Sequence, residues 1–151
     1  MENKKKMIVW ILVVLLVVGA LVFLTIKKGN NNAENIQKVK GVDITTLVEG
    51  SGDTAKTGDS VSMNYTGVLE DGTAFDSNVD PKFNHVSPFV FTLGTGQVIS
   101  GWDIGVTGMK VGEKRKLEIN PEFAYGEAGV GSIIPPNAKL IFDVELVEIV
   151  K

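Results

Sequence analysis

From residue 41 onward, apolar and polar positions alternate in short runs that are typical of half-buried β-strands. The run at 113–120 shows this most clearly, because Leu117 and Ile119 share one face and charged side chains occupy the other. Turn-forming residues separate the runs, and the pair Asp71-Gly72 predicts a hairpin that leads into Ala74-Phe75. The pattern therefore predicts β-strands over the segments 42–48, 59–69, 89–94, 113–120 and 139–150.

A different period occupies residues 98–109. There the apolar residues follow helical spacing, at Ile99, Trp102, Val106 and Met109. Ser100 is the predicted N-cap, and Asp103 three residues later completes a start that resembles a capping box. Three glycines lie in the segment, and each costs about 1 kcal/mol relative to alanine, so the predicted helix is only one or two turns long. The expected class is α+β, with a twisted antiparallel sheet wrapped around one short helix.

The N-terminal region reads differently, because residues 7–26 form an uncharged, strongly apolar run of twenty residues bracketed by lysines. A helix of that length spans roughly 30 Å, which matches the hydrocarbon core of a bilayer. The alternative is a cleaved signal peptide, with Val18-Gly19-Ala20 as the cleavage site and Leu21 as the first mature residue. The uncharged run continues past that site, whereas signal cores usually have about 7–15 residues, so an uncleaved signal anchor is favoured.

These patterns divide the chain into four predicted regions: a short basic tail at 1–6, a single transmembrane helix at 7–26, a polar linker at 27–40 and a folded domain at 41–151. The linker is rich in Asn and lacks apolar periodicity. Lysines lie on both sides of the apolar run, and the tight cluster in the short tail abuts it directly. The expected topology therefore has the tail inside the cell and the domain outside the cytoplasm.

Charge and composition narrow the possible functions. The net charge of −3 conceals an acidic domain, because residues 41–151 carry eight basic and sixteen acidic side chains. This balance argues against a nucleic acid as partner. The chain has no cysteine and one histidine, which excludes disulfides, thiolate chemistry and histidine-rich metal sites. That histidine, His85, lies in a turn-rich loop at 78–88, where a solvated surface position is expected.

What remains is a set of aromatic and large aliphatic residues. On spacing alone Trp102 belongs to the core, and the whole set could be the core of a small sheet. Several members, such as Tyr125, Ile133 and Ile134, nevertheless lie on loops where core residues are not expected, which indicates an apolar cleft. The set comprises Tyr65, Phe75, Phe89, Phe91, Val98, Ile99, Trp102, Phe123, Tyr125, Ile133, Ile134 and Phe142.

The order and spacing of these residues closely resemble the FKBP-type peptidyl-prolyl cis-trans isomerases, over essentially all of 41–151. The motifs that carry the resemblance are Tyr65-Thr66-Gly67, Gly72-x-x-Phe75-Asp76-Ser77, Phe91-x-Leu93-Gly94, Val98-Ile99-x-Gly101-Trp102-x-x-Gly105, Met109-x-Val111-Gly112, Ala124-Tyr125-Gly126 and Ile133-Ile134-Pro135-Pro136-x-Ala138-x-Leu140-x-Phe142. The resemblance implies an antiparallel sheet of about five strands curling around one short helix. An apolar pocket is expected between the sheet and the helix.

The resemblance also implies roles for individual residues. Trp102 would form the pocket floor, the Ile99 backbone N–H and the Tyr125 hydroxyl would donate to substrate carbonyls, and Asp76 would lie beside the rotating bond in a catalytic or a structural role. The expected substrate-binding residues are Tyr65, Phe75, Phe89, Val98 and Phe142, with Ile133 and Ile134 in a flap over the pocket.

The implied partners are proline-containing polypeptides, macrolide inhibitors of the rapamycin type and, through residues 7–26, the lipid bilayer. No cofactor and no metal are implied. A protein of the same fold could instead hold proline-containing segments without catalysis, and this non-catalytic binding module remains the alternative. One departure from the family concerns the loop after Asp76, which is longer than in small members and lacks their frequent arginine, since the chain's one arginine is Arg115.

Overall fold

The computed structural model describes residues 35–150. Within these residues the chain forms seven β-strands and one α-helix, joined by turns and two short 3-10 helices at Pro81–Phe83 and Pro121–Phe123. The elements are β1 Ile36–Val39, β2 Val42–Val48, β3 Ser60–Leu69, β4 Ala74–Ser77, β5 Phe89–Thr92, α1 Ser100–Val106, β6 Lys114–Ile119 and β7 Leu140–Val150.

All strand pairs are antiparallel, and the sheet order is β1-β2-β6-β7-β3-β4, with β5 also paired to β3. The two long strands, β3 and β7, form the centre and pair from Ser60–Val150 to Leu69–Leu140. The predicted antiparallel sheet with one short helix is confirmed. The sheet has seven strands rather than about five, and one of the additional strands comes from the predicted linker.

The linker prediction of 27–40 is wrong at its C-terminal end. Residues Ile36–Val39 form β1, which pairs with β2 through a two-residue turn whose residues, Lys40 and Gly41, both have positive φ. Such a turn matches the natural twist of a hairpin. The strand is short and mostly exposed at the sheet edge, so it leaves no apolar alternation in the sequence. Only Val39 packs against the core.

Helix α1 packs against the sheet through its glycines. The buried face carries Gly101, Trp102, Gly105 and Val106. A Cβ atom on Gly105 would lie 2.6 Å from a methyl carbon of Leu117 on β6, and one on Gly101 would overlap Ile119. The glycines therefore do more than limit helix length, since they let the helix backbone approach the sheet closely.

The predicted cap at Ser100 is wrong. Ile99 is the N-cap residue, and no side chain closes the first turn. The Ser100 hydroxyl instead donates to the Phe123 carbonyl at 3.4 Å. The Asp103 carboxylate accepts the backbone N–H groups of Gly94 and Gly96, at 2.7 and 3.3 Å. Its negative charge holds the turn that leads from β5 into the helix.

The opposite end of α1 is tied to β6 by Arg115. Its guanidinium donates to the Gly105 carbonyl at 2.8 Å and pairs with Glu113, whose side chain is almost fully buried. Glu113 also accepts the Lys110 backbone N–H at 2.8 Å. The chain's one arginine therefore has a partnered position at the helix C-terminus, far along the chain from the loop that follows Asp76.

In the span from 35 to 150, no helix is long and apolar enough to cross a bilayer. The predicted transmembrane helix at 7–26 and the tail at 1–6 lie outside the described residues. The anchor therefore remains a prediction.

Candidate functional site

A cleft of about 270 Å³ opens between α1 and the sheet. Nine of the eleven residues that the resemblance assigned to a site lie in its wall, together with one further residue, Gln97. The lining residues are Tyr65, Phe75, Asp76, Phe89, Gln97, Val98, Ile99, Trp102, Tyr125 and Phe142.

The floor of the cleft is the Trp102 ring, which is 4% exposed. Tyr65 and Phe142 meet this ring edge-on, with centroid distances of 5.2 and 5.3 Å and interplanar angles of 83° and 89°. Phe89 adds a third edge contact at 6.2 Å. Aromatic pairs prefer such edge-to-face geometry, and the mutual contacts keep each ring in place. The floor and the aromatic walls of the cleft are therefore apolar, and ring contacts fix their positions.

Strand alternation explains how these rings converge. Tyr65 on β3 and Phe142 on β7 project from the buried face of the central strand pair, and Phe75 on β4 packs edge-on against Phe142 at 5.5 Å. Gly67 lies between them on β3. A Cβ atom there would come within 2.6 Å of the Phe75 ring and 2.7 Å of the Phe142 ring. The glycine of the Tyr65-Thr66-Gly67 motif thus makes room for the aromatic wall.

Asp76 is the acidic residue of the cleft, and both of its carboxylate oxygens are occupied. The Tyr65 hydroxyl donates to Oδ2 at 2.7 Å, and His85 Nε2 lies 2.8 Å from Oδ1. The expected surface position of His85 is confirmed, since its side chain is 48% exposed, but the residue also pairs with Asp76, which the sequence did not indicate. The long loop that lacks an arginine delivers a histidine to the carboxylate instead.

The two tyrosines of the cleft stay protonated at neutral pH. Burial raises the pKa of Tyr65 well above its ordinary value, and the hydrogen bond to Asp76 raises it further. The pKa of Tyr125 is also raised, first by burial and then by the nearby Asp76 charge. Deprotonating either hydroxyl would place a second negative charge beside the carboxylate in a partly desolvated site. Both residues therefore remain hydrogen-bond donors.

Some donors in the wall have no acceptor within the described part of the chain. Among them are the backbone N–H of Ile99, at the N-cap of α1, and the hydroxyl of Tyr125. Tyr125 is 42% exposed and lies in the loop after Pro121–Phe123. The cleft thus combines aromatic walls with unused donors, which suits a ligand that has an apolar ring flanked by carbonyl groups.

Ile133 and Ile134 are not in the cleft wall. Ile134 is buried in the core, and its carbonyl accepts the Val130 N–H at 2.8 Å. Ile133 lies exposed at the tip of the same turn. The structure therefore does not place these two predicted flap residues in the wall of the cleft. Ile134 faces the hydrophobic core instead. The buried Ile134 side chain thereby anchors the loop that contains Val130 and Ile133 to the core.

Sequence reasoning missed three residues that shape the site: Gln97, His85 and Asn78. The Gln97 side chain lines the cleft and accepts the Thr92 N–H at 2.8 Å. Asn78 is almost fully buried and joins three backbone groups, accepting from the Tyr65 N–H and donating to the carbonyls of Met63 and Ser87. A local signal existed only for Gln97, which directly precedes the Val98-Ile99 pair. The partners of Asn78 and His85 come together only in the fold.

Comparisons with known proteins agree with this geometry. The sequence profile of a family described as "FKBP-type peptidyl-prolyl cis-trans isomerase" matches residues 52–147. "FK506-binding protein 1" of Dictyostelium discoideum is 50% identical over 107 residues, which cover 71% of this chain and 96% of that protein. A "Peptidyl-prolyl cis-trans isomerase" of Schizosaccharomyces pombe is 50% identical over 110 residues, covering 72% and 95%. The crystal structure of AtFKBP13 matches with a TM-score of 0.66 at 36% identity, covering 73% of this chain and 94% of that one.

Proposed function

The chain belongs to the FKBP-type peptidyl-prolyl cis-trans isomerase family, and we propose that it assists protein folding near a membrane, to which the apolar run at residues 7–26 anchors it. The protein is a peptidyl-prolyl cis-trans isomerase, and it accelerates rotation about Xaa-Pro peptide bonds. The alternative of a non-catalytic binding module is not favoured, because similar proteins over this region are named as isomerases.

The apolar cleft floored by Trp102 is the observation that carries the mechanism. Resonance makes the peptide bond planar, separates charge between oxygen and nitrogen, and gives a rotation barrier of about 18–20 kcal/mol. Twisting the bond removes that charge separation. An apolar wall therefore destabilises the planar ground state more than the twisted transition state, which lowers the barrier without a covalent or acid–base step.

Positioning completes the mechanism. A proline ring packed on Trp102 would orient the flanking carbonyls toward the Ile99 N–H and the Tyr125 hydroxyl, which have no acceptor in the described residues. Holding the flanking chain fixes one side of the bond, so rotation is confined to the other side. Asp76 lies in the wall of the cleft, and its carboxylate would lie beside the reacting amide in this arrangement.

The activity is tested by measuring cis-trans exchange of a short peptide that carries a bulky apolar residue before proline. Uncatalysed exchange takes about tens to hundreds of seconds at 25 °C, so catalysis is easily resolved. We expect acceleration, and competition by FK506 or a rapamycin-type macrolide, because relatives are named for binding FK506. Binding of the macrolide with exchange at the uncatalysed rate would contradict catalysis and favour the binding module.

The membrane anchor rests on the uncharged apolar length of residues 7–26. We expect the full-length protein to stay in the membrane fraction after a carbonate wash, and mass spectrometry of the intact protein to detect residues 1–26. A mature chain that begins at Leu21 would contradict the anchor and establish a cleaved signal peptide instead.

The proposed topology places the isomerase domain outside the cytoplasm, because the lysine cluster of the short tail abuts the apolar run. Protease added to intact cells should then digest the domain, and a tag at the N-terminus should survive. Complete protection of the domain, with digestion only after lysis, would reverse the topology.

A further inference from the structure

The carboxylate of Asp76 is held from two sides by residues of different origin. Tyr65 belongs to the central strand β3, whereas His85 belongs to the loop between β4 and β5. The Tyr65 hydroxyl donates to Oδ2, whereas Oδ1 accepts the Ser77 backbone N–H at 2.9 Å and also contacts His85 Nε2. With both oxygens bonded, the carboxylate has one defined orientation at the cleft rim.

The loop that carries His85 is fastened at both ends. At its start, the Ser77 hydroxyl accepts the N–H groups of Val79 and Asp80, both at 3.2 Å. At its end, the Asn78 carboxamide donates to the Ser87 carbonyl at 3.0 Å. These bonds are shielded, since Ser77 and Asn78 are both buried. The position of His85 is therefore a property of the fold and not of a free surface side chain.

Among the described charged residues near His85, Asp76 is the one that it contacts. The other ionic side chains of the loop, Asp80 and Lys82, pair with each other at 3.2 Å. Across the cleft rim, Tyr65 on β3 and Tyr125 on its own loop are neutral at physiological pH, because the pKa of each is raised. The rim contact therefore consists of one carboxylate and one imidazole.

We propose that His85 is a positioning residue for the isomerase reaction, which holds the Asp76 carboxylate in its orientation at the cleft rim. The proposal rests on the isomerase function, and His85 acts through Asp76. An ionised carboxylate only accepts hydrogen bonds, so His85 donates to it through Nε2–H.

The first test compares three variants of the full-length protein. His85→Ala removes the donor and should lower kcat/KM for a neutral peptide by about two- to tenfold, the loss expected for one hydrogen bond. His85→Gln keeps an amide donor of similar reach and should retain most of the activity. Lys82→Ala, in the same loop, is the matched control and should behave as the wild type. Wild-type activity in His85→Ala, or an equal loss in His85→Gln, would overturn the proposal.

The second test separates positioning from loop stability. The free energy of unfolding of His85→Ala, measured by chemical denaturation, should equal that of Lys82→Ala, because the loop is fastened by Ser77 and Asn78 and not by His85. A loss of stability in His85→Ala that accounts for its lost activity would overturn the proposal.

A third measurement does not depend on activity. The NMR signal of the Asp76 carboxyl carbon should move in His85→Ala, which removes a donor to Oδ1, and should keep its wild-type position in Lys82→Ala. If the wild type fails to accelerate exchange, the isomerase function fails. The NMR comparison then still decides whether His85 holds Asp76, and an unchanged signal in His85→Ala would overturn that contact.

Discussion

At the residue scale, the floor of the cleft has two roles. Tyr65 and Phe142 each pack edge-on against Trp102, and Trp102 and Phe142 also belong to the buried core. A change at either of these two positions alters both stability and the shape of the site. Tyr125 differs, because it is half-exposed and its hydroxyl bonds to nothing in the described chain. The two kinds of position predict different mutational behaviour.

Tyr125→Phe should lower activity and leave the fold intact. The variant loses one donor to the substrate, and a net hydrogen bond is worth about 0.5–1.5 kcal/mol, so kcat/KM should fall by about two- to tenfold. Phe142→Ala is the matched comparison. It removes a buried ring, and the free energy of unfolding should fall by about 3–5 kcal/mol together with activity. Chemical denaturation and the exchange assay measure both effects. An equal loss of stability in Tyr125→Phe would contradict its assignment as a donor at the surface of the cleft.

The raised pKa of Tyr65 predicts that the folded protein loses stability at alkaline pH. Its pKa is raised from 10.0 by burial and by the bond to Asp76, so the unfolded chain releases this proton at a lower pH than the folded chain does. The stabilising contribution is therefore complete below about pH 10 and is lost as the pH rises above that value. We expect the unfolding free energy to fall less steeply between pH 9 and 11 in Tyr65→Phe than in the wild type. Identical slopes would contradict this effect.

At the element scale, the placement of α1 depends on glycines that contact β6. Gly105→Ala adds a Cβ 2.6 Å from Leu117, so it should destabilise the fold. In an unpacked helix the same change would be favourable by about 1 kcal/mol. The sign of the effect on the unfolding free energy therefore tests the close packing. A stabilised Gly105→Ala variant would show that the helix lies farther from the sheet.

Ser100→Ala is the matched control on the same helix. The sequence alone predicts an N-cap there, and removing such a cap typically costs about 1 kcal/mol. In the structure Ser100 is exposed and caps nothing, so the variant should retain wild-type stability in chemical denaturation. A clear loss of unfolding free energy would show that Ser100 caps the helix, as the sequence pattern indicated.

At the scale of the whole molecule, the start of the domain decides how a soluble fragment behaves. Residues 35–150 lie in one compact unit that includes β1. A fragment that begins at 41 lacks β1 and exposes the edge of β2, which invites association with other chains. We expect it to be about 1–3 kcal/mol less stable than a fragment that begins at 35, mainly through lost burial of Val39.

Both fragments should be equally active per folded molecule, because the cleft residues begin only at Tyr65. Thermal unfolding and the exchange assay, carried out on the two fragments side by side, measure the two properties. Equal stability would show that β1 adds nothing to the domain, and lower activity per folded molecule would show that the sheet edge influences the cleft.

Much of this protein follows from local sequence. Alternating positions located most strands, because a half-buried strand must place every second side chain in the core. Helical spacing located α1 for the same reason. The aromatic motifs, through their resemblance to a family, indicated nine residues that the structure brings to the cleft wall.

The tertiary structure alone decided the contacts between segments that are distant in sequence or lack local periodicity. The partners of Asp103, Asn78 and His85 are groups brought near by folding, and a polar side chain carries no sign of its partner in its own neighbourhood. β1 escaped prediction because an exposed edge strand needs no apolar alternation. Ile134 shares the family motif with Ile133 yet is buried, because burial depends on how the turn packs and not on residue type.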